Sequence, residues 1–292
     1  MSRRIEDHSI GSVHIGESLY PPLLAEAPDP PAALFFTGDL ETVRERPCVA
    51  LIGSRRCSLY GRRMARRLAG RLASAGLCVV SGLARGIDGE CHAGALAGGG
   101  VTAAVLGSGV DVIYPRENAG LARRVRESGC ILSEYLPGTP PKRFRFPQRN
   151  RIISGLSMGV VVIEAGSRSG TMITVGTALD QGREVMAVPG DATRSTSVGT
   201  NRLIREGAAP VTCARDVLEA LGMESSQASG ETLTVETDLG RKILQELAEG
   251  AVHVDQLARA TGASLSRLRE ELLRLELAGR IVSRPGGVFA LV

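Results

Sequence analysis

The sequence predicts an α/β protein with a Rossmann-like, doubly wound and mainly parallel sheet, followed by a small C-terminal winged-helix domain. Two observations support this prediction. From Cys48 onward, short apolar runs that end at glycine alternate with amphipathic segments of helix length, a pattern typical of βαβ units. Beyond residue 235, three helical patterns precede a two-stranded hairpin pattern, which is the order of elements in a winged helix-turn-helix.

Residues 1–46 are rich in proline and weakly periodic, and they are expected to form an extended lead-in packed on the core, because prolines block long helices. The first residues lack the apolar stretch of a signal peptide. No apolar run approaches the roughly 20 residues that a membrane span needs. The expectation is a soluble, cytoplasmic protein with no membrane partner.

Residues 47–222 are predicted to form the Rossmann-like core. Its apolar runs predict six strands, at Cys48–Ile52, Leu77–Val80, Val101–Leu106, Cys130–Ser133, Gly159–Glu164 and Glu184–Val188. The amphipathic segments predict helices that begin near Gly61, Asp88, Asn118, Gly170 and Gly199. In the first helix Met64, Leu68 and Leu72 recur every fourth residue, so that this face should pack on the sheet.

Residues 223–235 are polar, rich in serine and without apolar period, and predict a linker. Residues 236–292 predict the winged helix-turn-helix: a helix capped by Asp238, two further helices, and a hairpin that turns at Pro285–Gly287. This tail holds eight basic and eight acidic residues. Three roles therefore remain open for this domain: contact of the third helix with duplex DNA, contact with another protein, and support of a dimer.

Basic residues concentrate between Pro140 and Arg151, where five cations surround two phenylalanines and no acidic residue occurs. The chain has only 5 Phe, 4 Tyr and no Trp, so this is a concentrated use of scarce aromatics. Cations neutralise phosphates and aromatic rings stack on unpaired bases, which makes the stretch a candidate site for single-stranded nucleic acid. A solvated, charged loop is the alternative.

Several predicted strands end in glycine-rich turns, and the carboxyl ends of parallel strands meet at one edge of a sheet. These turns are Gly53-Ser54-Arg55, Ser81–Asp88, Gly107-Ser108-Gly109 and Gly166–Thr171. Neither a GxGxxG fingerprint nor a Walker GxxxxGK[ST] motif occurs, so no NAD or ATP cofactor is indicated. Mere strand-to-helix geometry is the alternative for each turn alone.

The sequence indicates neither a metal site nor a catalytic site. The six cysteines form no CxxC pair and no histidine cluster has metal-ligand spacing, so reduced thiols are expected. Asp88 and Asp111 are lone carboxylates, and Asp88 is predicted to cap the following helix. Neither His92 nor His253 is assigned a catalytic role.

A series of linked motifs resembles the DprA family of DNA-processing proteins, also called Smf, over roughly residues 20–222, and the tail resembles an optional domain of many members. The motifs are GSR at 53–55, SGLARGID at 81–88, LGSGVDVIYP at 106–115, FPQRNRIISGLS at 146–157, VVIEAGSRSGTMIT at 161–174, GREVMAVPG at 182–190 and SVGTNRLIREGA at 197–208. Many members carry an N-terminal domain similar to a sterile alpha motif, for which the 46 residues before the first predicted strand are too few.

The resemblance implies an extended Rossmann fold that forms a homodimer, coats and protects incoming single-stranded DNA during natural transformation, and loads RecA onto it. It implies no catalysis and no cofactor. For Asn150 and Arg151 the alternative to DNA contact is that they fix the loop. The candidate contacts to single-stranded DNA are Ser54, Arg55, Gly82, Arg85, Lys142, Arg143, Phe144, Phe146, Arg149, Asn150, Arg151, Ser169, Gly170 and Thr171.

Two other functions are alternatives to this one. The core also resembles phosphoribohydrolases, whose PGGxGTxxE turn supplies a glutamate to the reaction, but Thr174 stands at that position and a hydroxyl is a poor general acid or base at neutral pH. A duplex-binding regulator that acts through the tail is the second alternative.

Overall fold

The computed structural model describes residues 10–167, 169–223, 237–248, 250–277, 280–284 and 286–291. The chain divides into two compact units, residues 1–225 and 226–292. The predicted linker falls almost entirely outside the described residues. The two units are therefore taken one at a time.

A nine-stranded sheet forms the centre of the first unit, in the order β1-β2-β6-β5-β4-β3-β7-β8-β9. Strands β3 to β9 pair in parallel, whereas β2 runs antiparallel to β6 and β1 antiparallel to β2. The strands are β1 (Gly11–His14), β2 (Ala33–Gly38), β3 (Cys48–Ile52), β4 (Cys78–Ser81), β5 (Thr102–Val105), β6 (Cys130–Ser133), β7 (Gly159–Val162), β8 (Glu184–Ala187) and β9 (Ala209–Pro210).

The six strands predicted from apolar runs are β3 to β8, each within two residues of the expected ends. Every residue of β3 to β7 is buried, as expected of central parallel strands that are covered on both faces. The mainly parallel α/β fold is thus confirmed. The chain builds β3 to β6 toward one edge and β7 to β9 toward the other, so the strand order reverses between β3 and β7. The carboxyl ends of those two strands open a crevice there.

Nine helices are described in this unit, and five of them (α3, α4, α5, α7 and α8) were predicted. Met64, Leu68 and Leu72 of α3 are buried, whereas the arginines between them are exposed, which confirms the predicted face. The helices are α1 (Pro22–Ala25), α2 (Leu40–Arg44), α3 (Leu59–Ser74), α4 (Ile87–Ala97), α5 (Ala119–Ser128), α6 (Arg145–Gly155), α7 (Thr171–Asp180), α8 (Val198–Arg205) and α9 (Ala214–Ala220).

Two segments differ from expectation. The lead-in before residue 47 is not merely extended, because β1 and β2 join the sheet at its β6 edge. Part of the basic stretch is helix α6 rather than a loop. Pro147 is compatible with that helix because it stands in the first turn, where backbone N–H groups have no intrahelical acceptor. The helix fixes which basic side chains face the sheet.

The second unit has the order of elements that a winged helix predicts, with a core that includes Ile243, Leu257 and Leu272. Its elements are α10 (Asp238–Ala248), β10 (Val252–His253), α11 (Val254–Thr261), α12 (Leu265–Leu277), β11 (Ile281–Arg284) and β12 (Val288–Leu291). Three strands pair here, in the order β10-β12-β11, rather than two.

The cap of α10 is a second correction in this unit. Thr237 Oγ1 accepts the Gly240 N–H at 2.9 Å, so that Thr237 rather than Asp238 caps the helix. Pro285 of the predicted turn lies outside the described residues.

Candidate nucleic-acid interface

A pocket of about 750 Å³ opens at the carboxyl ends of β3 and β7, where the strand order reverses. Its walls come from the turn after β3, from the first turns of α6 and α7, and from the segment after β5. Nine of the fourteen predicted contacts line it: Ser54, Arg55, Arg143, Phe146, Arg149, Asn150, Ser169, Gly170 and Thr171. The basic stretch and the glycine-rich turns therefore form parts of one site.

The turn after β3 is held by backbone hydrogen bonds at both of its sides. The Ser54 N–H donates to the Glu164 backbone oxygen (2.8 Å), and the Ser54 oxygen accepts the Ile87 N–H (3.2 Å). Gly53 is required here, because a Cβ at this position would lie 2.7 Å from Ile87 Cγ1. This bracing presents Arg55 to solvent beside the pocket.

Glu164 fixes the far end of the same turn, a role that the sequence reasoning missed. Its buried carboxylate accepts the Ser58 N–H (2.8 Å) and the Ser58 hydroxyl. Ser58 in turn caps α3 by accepting the Gly61 N–H (3.1 Å). The signal in the sequence was an acidic residue at the end of an otherwise apolar strand run. The whole turn from 54 to 58 is thus tied to the end of β7.

Arg149 is an internal cation rather than a surface contact, since only 3% of the residue is exposed. Its Nη1 donates to the Val105 backbone oxygen (2.5 Å). Burial lowers the pKa of Arg149 to about 10, against the opposing effect of Asp88. The guanidinium therefore stays charged at neutral pH and adds a fixed positive charge to the pocket wall.

Gly82 leaves space for that guanidinium, and Asp88 partly balances its charge. A Cβ on Gly82 would overlap the Arg149 guanidinium, so Gly82 acts by leaving space and does not line the pocket. Asp88 is buried in the first turn of α4, and its carboxylate accepts the Gly82 N–H at 3.2 Å. It is not the cap of α4, because Gly86 holds that position. Burial raises the pKa of Asp88, whereas Arg149 and the backbone amides of Ala84 and Gly82 act to lower it.

Phe146 stands in the first turn of α6 between two partners. The Arg55 guanidinium carbon lies 5.3 Å from the centroid of its ring, and the Tyr114 ring centroid lies 5.7 Å away at a tilt of 37°. The turn after β5 supports the ring, since a Cβ on Gly107 would come within 3.1 Å of it. Arg143 is exposed beside it and forms no ion pair with another described residue.

The predicted contacts at the beginning of α7 line the pocket through short side chains. Ser169 Oγ accepts the Thr171 N–H (3.2 Å) and lies 2.9 Å from the Thr171 hydroxyl. Thr174 is nearly fully buried and also lines the pocket. The pocket wall therefore has Thr174, a residue with a hydroxyl group, at the position where a phosphoribohydrolase has its glutamate.

Five predicted contacts lie outside the pocket lining. Besides Gly82, these are Arg85, which pairs with Glu117 through two hydrogen bonds of 2.7 Å, and Arg151. Arg151 pairs with Glu134 (2.8 Å) and Asp29 (2.8 Å). It therefore ties α6, which is a helix rather than the loop of the alternative interpretation, to the segments that carry these two carboxylates. The other two are the exposed Lys142 and Phe144.

The remaining titratable candidates have structural roles. His92 is fully buried with Nδ1 2.7 Å from the Thr102 hydroxyl, and burial together with the Arg149 charge lowers its pKa to about 3. His253 accepts the Asp255 N–H, and Asp111 accepts the Gly138 N–H. Among the described residues, no three His, Cys, Asp or Glu side chains cluster as metal ligands. No helix in the described ranges is long and apolar enough to cross a membrane.

Fold and site together define a class of protein: a Rossmann-like core with an arginine-rich pocket at its strand ends, followed along the chain by a winged-helix domain. The family model described as DNA recombination-mediator protein A matches residues 12–222, and that of the DprA winged helix domain matches residues 224–287. The chain belongs to the DNA recombination-mediator protein A (DprA) family, which confirms the resemblance seen in its motifs.

Relatives and solved structures agree with this assignment. Protein Smf of Escherichia coli is 41% identical over 93% of this chain and 75% of its own length. The structure of DprA from Streptococcus pneumoniae is 44% identical, with a TM-score of 0.69 over 72% of this chain and 74% of that one. DNA processing protein A from Helicobacter pylori, whose structure concerns its single-stranded DNA binding mode, is 29% identical, with a TM-score of 0.66 over 74% and 96% of the two chains.

Proposed function

We propose that this protein binds single-stranded DNA in the strand-end pocket, protects incoming DNA there, and loads RecA onto it during natural transformation and recombination. The observation that supports the proposal most is the convergence of Arg55, Arg143 and Phe146 on one pocket from separate segments of the chain. The relative from Helicobacter pylori binds single-stranded DNA. By analogy with the family, the protein acts in the cytoplasm as a homodimer.

The chemistry of the pocket suits a DNA backbone without sequence readout. Arg55 and Arg143 are exposed cations that can neutralise phosphates, and the buried Arg149 adds a charge that does not move. Phe146 can stack on a base of any identity. Binding should therefore show weak sequence preference and a strong dependence on salt.

The experiment compares Arg55→Ala and Phe146→Ala with the unmodified protein for binding to fluorescent oligo-dT. Each variant should lose about 1–3 kcal/mol of binding free energy while the core stays folded. Arg215→Ala is the control, because Arg215 is an equally exposed arginine on α9 that does not line the pocket. Unchanged affinity in both pocket variants would contradict this assignment.

We propose further that the protein is a binding protein and not an enzyme, and that it needs no cofactor. Thr174 in the pocket wall cannot replace a catalytic glutamate at neutral pH. Incubation with nucleoside monophosphates, followed by chromatography, should release no free base. Release of base that is lost in Thr174→Val would favour the phosphoribohydrolase alternative.

The winged-helix domain carries a second candidate activity, binding of duplex DNA. A variant that ends at residue 222 tests it, because the first unit has its own core and contains the whole pocket. This variant should retain oligo-dT binding. Loss of all DNA binding on truncation would favour the duplex-binding regulator.

A further inference from the structure

Tyr114 is the second aromatic residue of the strand-end pocket, and it lies outside the basic stretch. It follows β5 and lines the pocket beside Phe146, with the two ring centroids 5.7 Å apart. Despite this contact Tyr114 is 48% exposed. The Tyr114 ring therefore contacts Phe146, while about half of the residue stays accessible to solvent.

The segment that carries Tyr114 is braced on both sides. Before it, the Ser108 hydroxyl donates to the Val112 oxygen (2.7 Å). After it, the Asn118 side-chain amide donates to the Leu83 oxygen (2.9 Å), which ties the segment to the turn after β4. An exposed ring on a braced segment is already ordered before a ligand arrives, and this reduces the entropy lost on binding.

Two other exposed aromatic residues show that exposure alone does not make this position special. Tyr60 is 46% exposed, but its hydroxyl donates to the Pro189 oxygen (3.0 Å) and it does not line the pocket. Phe144 is 57% exposed, but the Arg145 guanidinium lies 5.6 Å from its ring centroid. The Tyr114 hydroxyl has no hydrogen-bond partner among the described residues, so hydrogen bonding to them does not account for its position.

We propose that Tyr114 is a second base-stacking residue, which holds a base next to the one that Phe146 holds. The inference rests on the proposed function, because it needs single-stranded DNA in this pocket. The two rings are tilted by 37° and so face different directions. Each can take one base, and on Phe146 the base takes the place of the Arg55 guanidinium, which lies 5.3 Å from the ring centroid. Stacking on an aromatic ring tolerates any base. The pocket thus binds at least two successive nucleotides.

Tyr114→Leu separates stacking from mere support of Phe146, because leucine keeps an apolar side chain against that ring but has no aromatic face. Its affinity for oligo-dT should fall about 5-fold to 100-fold, whereas Tyr114→Phe should bind as the unmodified protein does. Tyr60→Leu is the matched control and should leave affinity unchanged. On an oligonucleotide with abasic sites throughout, the difference between Tyr114→Leu and the unmodified protein should disappear. An equal loss on both ligands would show a purely supporting role and overturn the proposal.

A spectroscopic test uses the absence of tryptophan from the chain. Tyr114→Trp introduces the only indole, whose emission should be quenched by oligo-dT with the midpoint found independently by fluorescence polarisation. Tyr60→Trp should show no quenching. Unchanged emission of Tyr114→Trp at saturation overturns the inference. If Phe146→Ala weakens binding and Tyr114→Leu does not, only the proposal of a second stacking residue is refuted. If the unmodified protein does not bind oligo-dT, the proposed function is refuted as well.

Discussion

Gly82→Ala should disable the pocket although Gly82 does not itself line it. The added methyl group would overlap the Arg149 guanidinium, which must then leave the Val105 oxygen. A hydrogen bond to a charged group contributes about 1.5–3 kcal/mol, and overpacking costs about 1–3 kcal/mol. The lower entropy of the unfolded chain returns about 0.4–1 kcal/mol. The net expectation is a loss of about 1.5–5.5 kcal/mol in the free energy of unfolding.

Urea unfolding of four proteins tests whether the overlap with Arg149 causes the loss of stability. The four are the unmodified chain, Gly82→Ala, Arg149→Met and the double variant. The two changes should be strongly non-additive, because Gly82→Ala costs little once the guanidinium is gone. Gly120→Ala is the control, since nothing lies within 4 Å of a Cβ at that position and the helix tolerates alanine. Full stability of Gly82→Ala, or additive effects in the double variant, would refute the reasoning.

Two further predictions concern charges around the site. Glu117→Gln releases the exposed Arg85 from its ion pair. The affinity for oligo-dT should then rise about 2-fold to 5-fold, and the logarithmic salt slope should steepen by about 0.7. Glu219→Gln, which breaks the similar Arg215 pair on α9, should change neither. The pKa of His92 is lowered to about 3 in the folded protein, below that of an unfolded histidine, so stability should fall as pH drops below about 6.5, by up to about 1.4 kcal/mol per unit. Urea unfolding of His92→Gln should show a shallower loss between pH 7 and pH 4.5, and identical slopes would contradict the shift.

The central sheet was predictable because its strands are covered on both faces and therefore read as unbroken apolar runs that end at glycine. β1 and β2 gave no such signal. They are short antiparallel strands near one edge, and the prolines between them suggested an irregular segment. Their place in the sheet depends on pairing with β6, which follows almost 100 residues later, and local pattern does not show such pairing.

The site was predictable to the extent that strand order determines it. The turns after β3 and before α7 meet because the strand order reverses between β3 and β7. The individual roles within the basic stretch from Pro140 to Arg151 were not predictable, because they depend on partners far away in sequence. Arg149 is buried where Gly82 leaves space, and Arg151 is held by Glu134, whereas Arg143 stays exposed.

These roles explain why few of the five cations in the basic stretch have a side chain that is free to move in the pocket. Arg151 is neutralised by carboxylates, and Arg145 packs on Tyr135 while it donates to the Pro140 oxygen. Arg149 is charged but immobile. Arg143 supplies a mobile cation from this stretch, and Arg55 supplies another from the turn after β3. Each mobile cation brought to a phosphate adds about 0.7 to the logarithmic salt slope for a single strand. The charges that order the pocket and the charges that hold DNA are therefore different residues, and only removal of the second kind should flatten the salt dependence while the fold stays intact.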